Sequence, residues 1–145
     1  MRFLFWNTHD NEDINTVLCD IIVEQKSNIV VLAEYKDIVE DLINRLDLNG
    51  IRMDVYPSVG CDRLTILGNK KNIRQSRQSK YYSMQIIEND LLLCGVHLPS
   101  QMWTDERTQT LAFQSVVHDI ELAEKESGID KTVVVGDFNQ NPYDD

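Results

Sequence analysis

YYSMQIIENDLLLCGVHL, residues 81–98, reads as two strands and the turn between them. Tyr81 to Ile87 and Leu91 to Leu98 have the length and apolar content of strands, and Glu88-Asn89-Asp90 supplies turn-forming residues. So short a connection joins antiparallel neighbours, which argues against a purely parallel, doubly wound sheet. Ile51 to Tyr56 and Leu64 to Leu67 predict two further strands just upstream. Outward from this middle, helices and strands alternate. Arg2 to Trp6 predicts a strand, and Ile14, Val17, Leu18, Ile21 and Ile22 recur at helical spacing behind Asp10 or Asn11 as a cap. Ile29 to Ala33 is continuously apolar, as in a strand buried on both faces. Ile38, Val39, Leu42, Ile43 and Leu46 mark a second helix closed by Asn49-Gly50. On the far side Leu111, Val116, Val117, Ile120 and Ala123 mark a long helix ending before Gly128, and Thr132 to Val135 is one more buried strand. The chain is therefore expected to be α+β, with a mixed parallel and antiparallel sheet.

No repeat, low-complexity tract or Pro/Ser-rich linker divides the 145 residues, so one domain over 1–145 is expected. The longest apolar stretches fall far short of a bilayer's roughly 20 residues, and Phe3 to Trp6 is too short for a signal-peptide core. Cys19, Cys61 and Cys94 are odd in number and widely spaced in apolar surroundings, which reads as reduced core thiols of a cytoplasmic protein. Fourteen Lys and Arg against twenty-four Asp and Glu give a net charge of −10. That balance is opposite to the one expected of a non-specific nucleic-acid binder. It leaves room for a phosphate substrate, because a bound divalent cation inverts the local sign.

The polar residues at four strand ends carry the chemistry. Phe3 to Trp6 delivers Asn7, Ile29 to Ala33 delivers Glu34, and Leu91 to Val96 delivers His97. Thr132 to Val135 runs into Gly136-Asp137-Phe138-Asn139, where Asp137 and Asn139 point to one side in extended geometry. Each has a plain structural reading as well: Asn7 a turn or cap, Glu34 a solvated strand end, His97 a hydrogen-bonded core histidine, Gly136 to Asn139 a turn. Together they make the oxygen-rich set that Mg²⁺ or Mn²⁺ prefers, usually through one or two carboxylates plus water and phosphate.

On these residues the sequence resembles the endonuclease/exonuclease/phosphatase superfamily of metal-dependent phosphoesterases. Trp6-Asn7 resembles its first motif and Ala33-Glu34 its second, although the family commonly has Gln at the position of Ala33. Val96-His97-Leu98 and Gly136-Asp137-Phe138-Asn139, followed by Asn141-Pro142, match two later motifs in family order. The resemblance implies a four-layer α/β/β/α sandwich of the deoxyribonuclease-like type, truncated here. It also implies Mg²⁺ or Mn²⁺ bound at Asn7, Glu34 and Asp137. Catalysis would fall to His97, Asp137 and Asn139, acting on a phosphoester substrate such as nucleic acid. The family's C-terminal Ser-Asp-His motif has no counterpart, so this form is expected to be a poor catalyst. The alternative is a non-catalytic interaction module that keeps only the scaffold.

Arg63, Lys70, Lys71, Arg74, Arg77 and Lys80 form a basic stretch with no acidic residue from 63 to 80. It reads either as a phosphate or nucleic-acid track through Arg63, Lys70, Lys71, Arg74 and Arg77, or as a charged edge strand and loop. If the chain supplies mainly one sheet of the sandwich, the uncovered face is expected to drive self-association.

Overall fold

Ile29–Ala33, apolar throughout, forms strand β2 with every residue buried in the computed structural model, which describes residues 1–100, 102 and 104–139. Alternate side chains of β2 serve two cores, as the twofold period of a strand requires. Val30 and Leu32 pack beside Leu18 and Ile22 of helix α1 (Asn15–Gln25) and Leu42 and Leu46 of helix α2 (Val39–Leu48). Ile29, Val31 and Ala33 belong to a second core, shared with Ile87 and Leu93 of another sheet. Strand β1 (Phe3–Asn7) lies parallel to β2 on one side. On the other, β4 (Leu64–Gly68) and the short β3 (Asp54–Tyr56) complete the antiparallel part, in the order β1-β2-β4-β3.

The second sheet repeats the plan. Its order is β5-β6-β7-β8, from β5 (Ile73–Gln78), β6 (Tyr82–Ile87), β7 (Leu91–His97) and β8 (Thr132–Asp137). The first three are antiparallel, and β7 and β8 are parallel, joined through helix α3 (Glu106–Ser127). Leu92, Cys94 and Val96 pack with Ala112, Val116 and Ala123 of α3, while Leu93 enters the core between the sheets. There Gly95 allows close approach: a Cβ on it would lie 3.2 Å from Ile66 Cδ1 and 3.3 Å from Val31 Cγ1. The layers are thus helix, sheet, sheet, helix.

Several sequence expectations are corrected by tertiary contacts. The chain supplies two four-stranded sheets rather than mainly one, and the two share a core. Only Asp54–Tyr56 of the segment from Ile51 is strand, because Ile51 and Met53 pack into the helix-side core. β5 lies within the basic stretch as an edge strand, nearly all polar and irregular between Gln75 and Gln78. α1 takes no cap from Asp10 or Asn11; Asp37 Oδ2 instead accepts from the N–H groups of Ile14 (2.9 Å) and Asn15 (3.0 Å). In α3, Leu111 and Val117 are 54% and 41% exposed, and the buried face is Gln109, Ala112, Val116 and Ala123. Cys19, Cys61 and Cys94 are free and buried, and burial pushes the Cys94 thiol up to about 12, so it stays protonated.

Candidate active site

Strand register sets the site. β1 and β2 end level, with Asn7 opposite Ala33, and the next residue is Glu34. β7 and β8 end level too, with His97 opposite Asp137. Because both parallel pairs point their C-terminal ends the same way across the sandwich, the four groups meet. Asn7 Nδ2 donates to Asp137 Oδ2 at 3.2 Å, and His97 Nε2 lies 3.2 Å from Glu34 Oε1. Asp137 Oδ1 accepts from the Asn139 N–H at 2.9 Å, and Asn139 Nδ2 donates to the Leu98 carbonyl at 2.8 Å. All five residues expected from the strand ends therefore lie in one polar cluster. Asn141-Pro142 falls outside the described residues.

The backbone around this constellation is strained in a concentrated way. His9, Asp10, Glu34 and Asn139 all have φ between 49° and 55°, in the left-handed region that side chains other than Gly and Asn avoid. Such residues persist only where the surroundings over-determine them, at roughly 1–3 kcal/mol each. At Glu34 the restraint is visible: its carbonyl accepts from Thr8 Oγ1 at 2.7 Å and from the Asp10 N–H at 2.9 Å. Gly136 (φ 151°) is held differently. A Cβ there would sit 1.9 Å from the Val96 carbonyl oxygen, so β8 approaches β7 only with glycine at that position.

His97 is 4% exposed, and burial, followed by the nearby Arg63 charge, holds its imidazole below the usual value. Glu34, Asp137 and Asp10 pull in the opposite direction without reversing the shift. Burial thus favours the neutral ring, whose Nε2 lies beside Glu34 Oε1, and among the described residues its buried Nδ1 has no hydrogen-bond partner. A buried ring nitrogen without a partner is the mark of a ligand or water position.

His9, which its loop position gave no reason to single out, belongs here as well. Its Nδ1 lies 3.5 Å from Glu34 Oε2 and its N–H donates to Asn7 Oδ1 at 3.0 Å. The only advance signal was its place two residues beyond Asn7. Of the basic stretch, Arg63 alone reaches the site, donating from Nη1 to the His97 carbonyl at 3.2 Å. Lys70 and Lys71 precede β5, at the opposite end of the sheet from the site, and pair with Glu88 (3.8 Å) and Asp54 (2.6 Å). Arg77 is turned onto α3, against Asp119 and Glu126, and Arg74 is exposed on β5. These four do not line up with Arg63 as a track.

Among the described residues no group of three or more His, Cys, Asp or Glu forms a metal cage. A closed cage is not what Mg²⁺ requires, since it keeps several waters and takes one or two carboxylates. Glu34, Asp137 and the Asn7 amide, beside the unmatched His97 nitrogen, are hard donors in one cluster and fit a hydrated Mg²⁺ or Mn²⁺.

Two facing mixed sheets, flanked by helices and carrying this polar cluster at their strand ends, make a four-layer sandwich of the deoxyribonuclease-like type. Solved structures share it. The human Nocturnin catalytic domain with a bound sulfate anion superposes with a TM-score of 0.67 at 15% identity, over 99% of this chain and 66% of that one. An AP endonuclease from Archaeoglobus fulgidus gives 0.64 at 14% identity, over 98% and 59%. TDP2 from C. elegans gives 0.62 at 17%, over 96% and 48%, so the chain spans about half of that protein's length. No protein-family model and no curated protein matches the sequence.

Proposed function

We propose that the chain hydrolyses a phosphoester bond, with a phosphodiester of nucleic acid as the substrate class it suits best and Mg²⁺ or Mn²⁺ as cofactor. The observation that carries this reading is the pair of cross-sheet contacts, Asn7 to Asp137 and Glu34 to His97, which gathers four distant strand ends into one cluster. The structural neighbours support it, since they include an AP endonuclease, the endonuclease domain of TRAS1 and a Nocturnin domain holding sulfate, a tetrahedral anion like phosphate.

Glu34, Asn7 and Asp137 would hold the cation, which when bound supplies neutralisation of the phosphate charge. Asp137 is anchored through one oxygen by Asn7 and through the other by the Asn139 N–H, which orients it to align water and take its proton. Neutral His97 is an N–H donor for charge developing on the phosphoryl oxygens, and the Asn139 amide, fixed to Leu98, works beside it. Arg63 adds a positive charge on the same side. Among the described residues no helix is long and apolar enough to cross a membrane.

The test is hydrolysis of bis-nitrophenyl phosphate and of DNA with and without Mg²⁺. Turnover that EDTA abolishes is expected, with Glu34→Ala and Asp137→Ala each lowering kcat roughly a hundredfold or more. Mg²⁺-dependent thermal stabilisation without any turnover would instead identify a scaffold that binds the cation but lacks the chemistry. The absence of both turnover and stabilisation would defeat the reading.

A further inference from the structure

Tyr81, in the turn between β5 and β6, is joined to the site by main chain and carries two cations on its ring. Its carbonyl accepts from the His97 N–H at 2.8 Å, while the His97 carbonyl accepts from Arg63 Nη1 at 3.2 Å. The guanidinium carbon of Arg63 stands 5.3 Å from the centroid of the Tyr81 ring, and Lys80 Nζ stands 4.6 Å from it. The turn itself is pinned: Ser79 N–H donates to the Tyr82 carbonyl at 2.9 Å and Tyr81 N–H to Ser79 Oγ at 3.0 Å. Among the described residues neither Arg63 nor Lys80 pairs with a carboxylate, whereas Lys70, Lys71 and Arg77 all do. Both are exposed. A recess of about 350 Å³ opens alongside, between this turn and the start of α3, walled by Tyr81, Leu111 and Ala112.

In a chain of net charge −10, two carboxylate-free cations held on one aromatic ring beside His97 concentrate positive potential at a single point. We infer that Arg63, Tyr81 and Lys80 form an anion subsite for a second phosphate of the substrate, next to the one at His97, so that the site takes a phosphate-linked strand in preference to an isolated phosphoester. Tyr81 is a positioning residue, acting through the cations it orders. The inference rests on the phosphoesterase reading but is tested apart from it.

Binding of a short fluorescein-labelled single-stranded DNA is measured in EDTA, where no turnover occurs, across a KCl series. Lys80→Ser and Tyr81→Leu are expected to weaken binding roughly threefold to tenfold, and Lys80→Ser to flatten the salt dependence by about one phosphate contact, near 0.7 in slope. Tyr81→Phe, which keeps the ring face, retains wild-type binding, and Lys125→Ser, a lysine exposed near the end of α3, serves as the control for general charge loss. Lys80 is exposed, so its variant tests the idea even if a Tyr81 variant folds poorly. Unchanged affinity and slope in Lys80→Ser, an effect of Lys125→Ser as large, or no binding by the wild type at low salt, would each overturn the subsite. If binding behaves as expected but no DNA is cleaved in Mg²⁺, the subsite stands and the hydrolytic reading falls.

Discussion

β1–α1–β2 and β7–α3–β8 are two versions of one device, a parallel strand pair with a helical crossover, and they face each other across the sandwich. In each, the inner strand (β2 or β7) is buried and the outer one (β1 or β8) is half-buried. Each ends in two functional groups, and the match is one to one: outer Asn7 bonds outer Asp137, inner Glu34 meets inner His97. The units differ one residue before those ends. β1 places Trp6 opposite Leu32 and packs its ring into the helix-side core, whereas β8 places Gly136 opposite Val96, against its carbonyl. The first unit then turns its chain through left-handed His9, Asp10 and Glu34, locked by hydrogen bonds to the Glu34 carbonyl. One end is held by strain with many restraints, the other by the absence of a side chain. The two should fail differently.

The largest effect is expected in the second unit. Gly136→Ala puts a methyl 1.9 Å from a main-chain oxygen, which only separation of β8 from β7 can relieve. Stability measured by urea unfolding should fall by roughly 3–5 kcal/mol, the range reserved for strain and broken packing. Gly95→Ala, whose nearest neighbours are side-chain methyls at 3.2–3.4 Å, should cost clearly less. Equal losses would mean that the close approach at Gly136 is not what holds the second strand pair together.

The first unit is probed by comparing Glu34→Ala with Glu34→Gly. Both remove the carboxylate and its histidine contacts, so they differ only in how well the residue tolerates φ 51°. The glycine variant should be the more stable by about 1 kcal/mol. Identical unfolding midpoints would show that residue 34 relaxes once its carboxylate is gone, and that the left-handed turn is a consequence of Glu34's contacts rather than imposed by the Thr8 and Asp10 bonds.

What the sequence made legible follows the same division. Ile29 to Ala33 and Thr132 to Val135 announce strands by composition alone, although the second is only half-buried, and the short Glu88-Asn89-Asp90 connection fixes antiparallel pairing of β6 and β7. Polar residues directly after such strands can be placed at a sheet edge without coordinates, which is why Asn7, Glu34, His97, Asp137 and Asn139 could be named together. The remainder depended on partners distant in sequence. β5 carries Arg, Gln and Ser where a strand signal needs apolar alternation, because its outer edge faces water. Asp37 caps a helix that begins more than twenty residues earlier. His9 reaches Glu34 only through a left-handed turn, and Arg63 leaves the basic stretch for His97 only because β4 begins beside β2.

The smallest effect separates the two crossovers. α1 borrows its cap from Asp37, but α3 carries its own: Asp105 Oδ1 accepts from the Thr108 N–H at 2.7 Å. That bond, which favours the charged form, holds the Asp105 carboxyl below the ordinary 3.8. Since the unfolded chain binds the proton more readily, the cap's contribution is fully present above pH 3.8 and is lost as the pH falls through the folded value. Asp105→Ala should therefore lower Tm by a few degrees at pH 7, with the gap closing as the solution is acidified. Asp105→Asn keeps an acceptor that does not titrate, so near neutrality it should match the wild type, and below pH 3.8 it should lose less. A wild-type-to-Ala gap that stays constant through acidification would mean that Asp105 supports α3 through packing rather than as a charged cap, leaving both crossovers dependent on contacts made elsewhere in the fold.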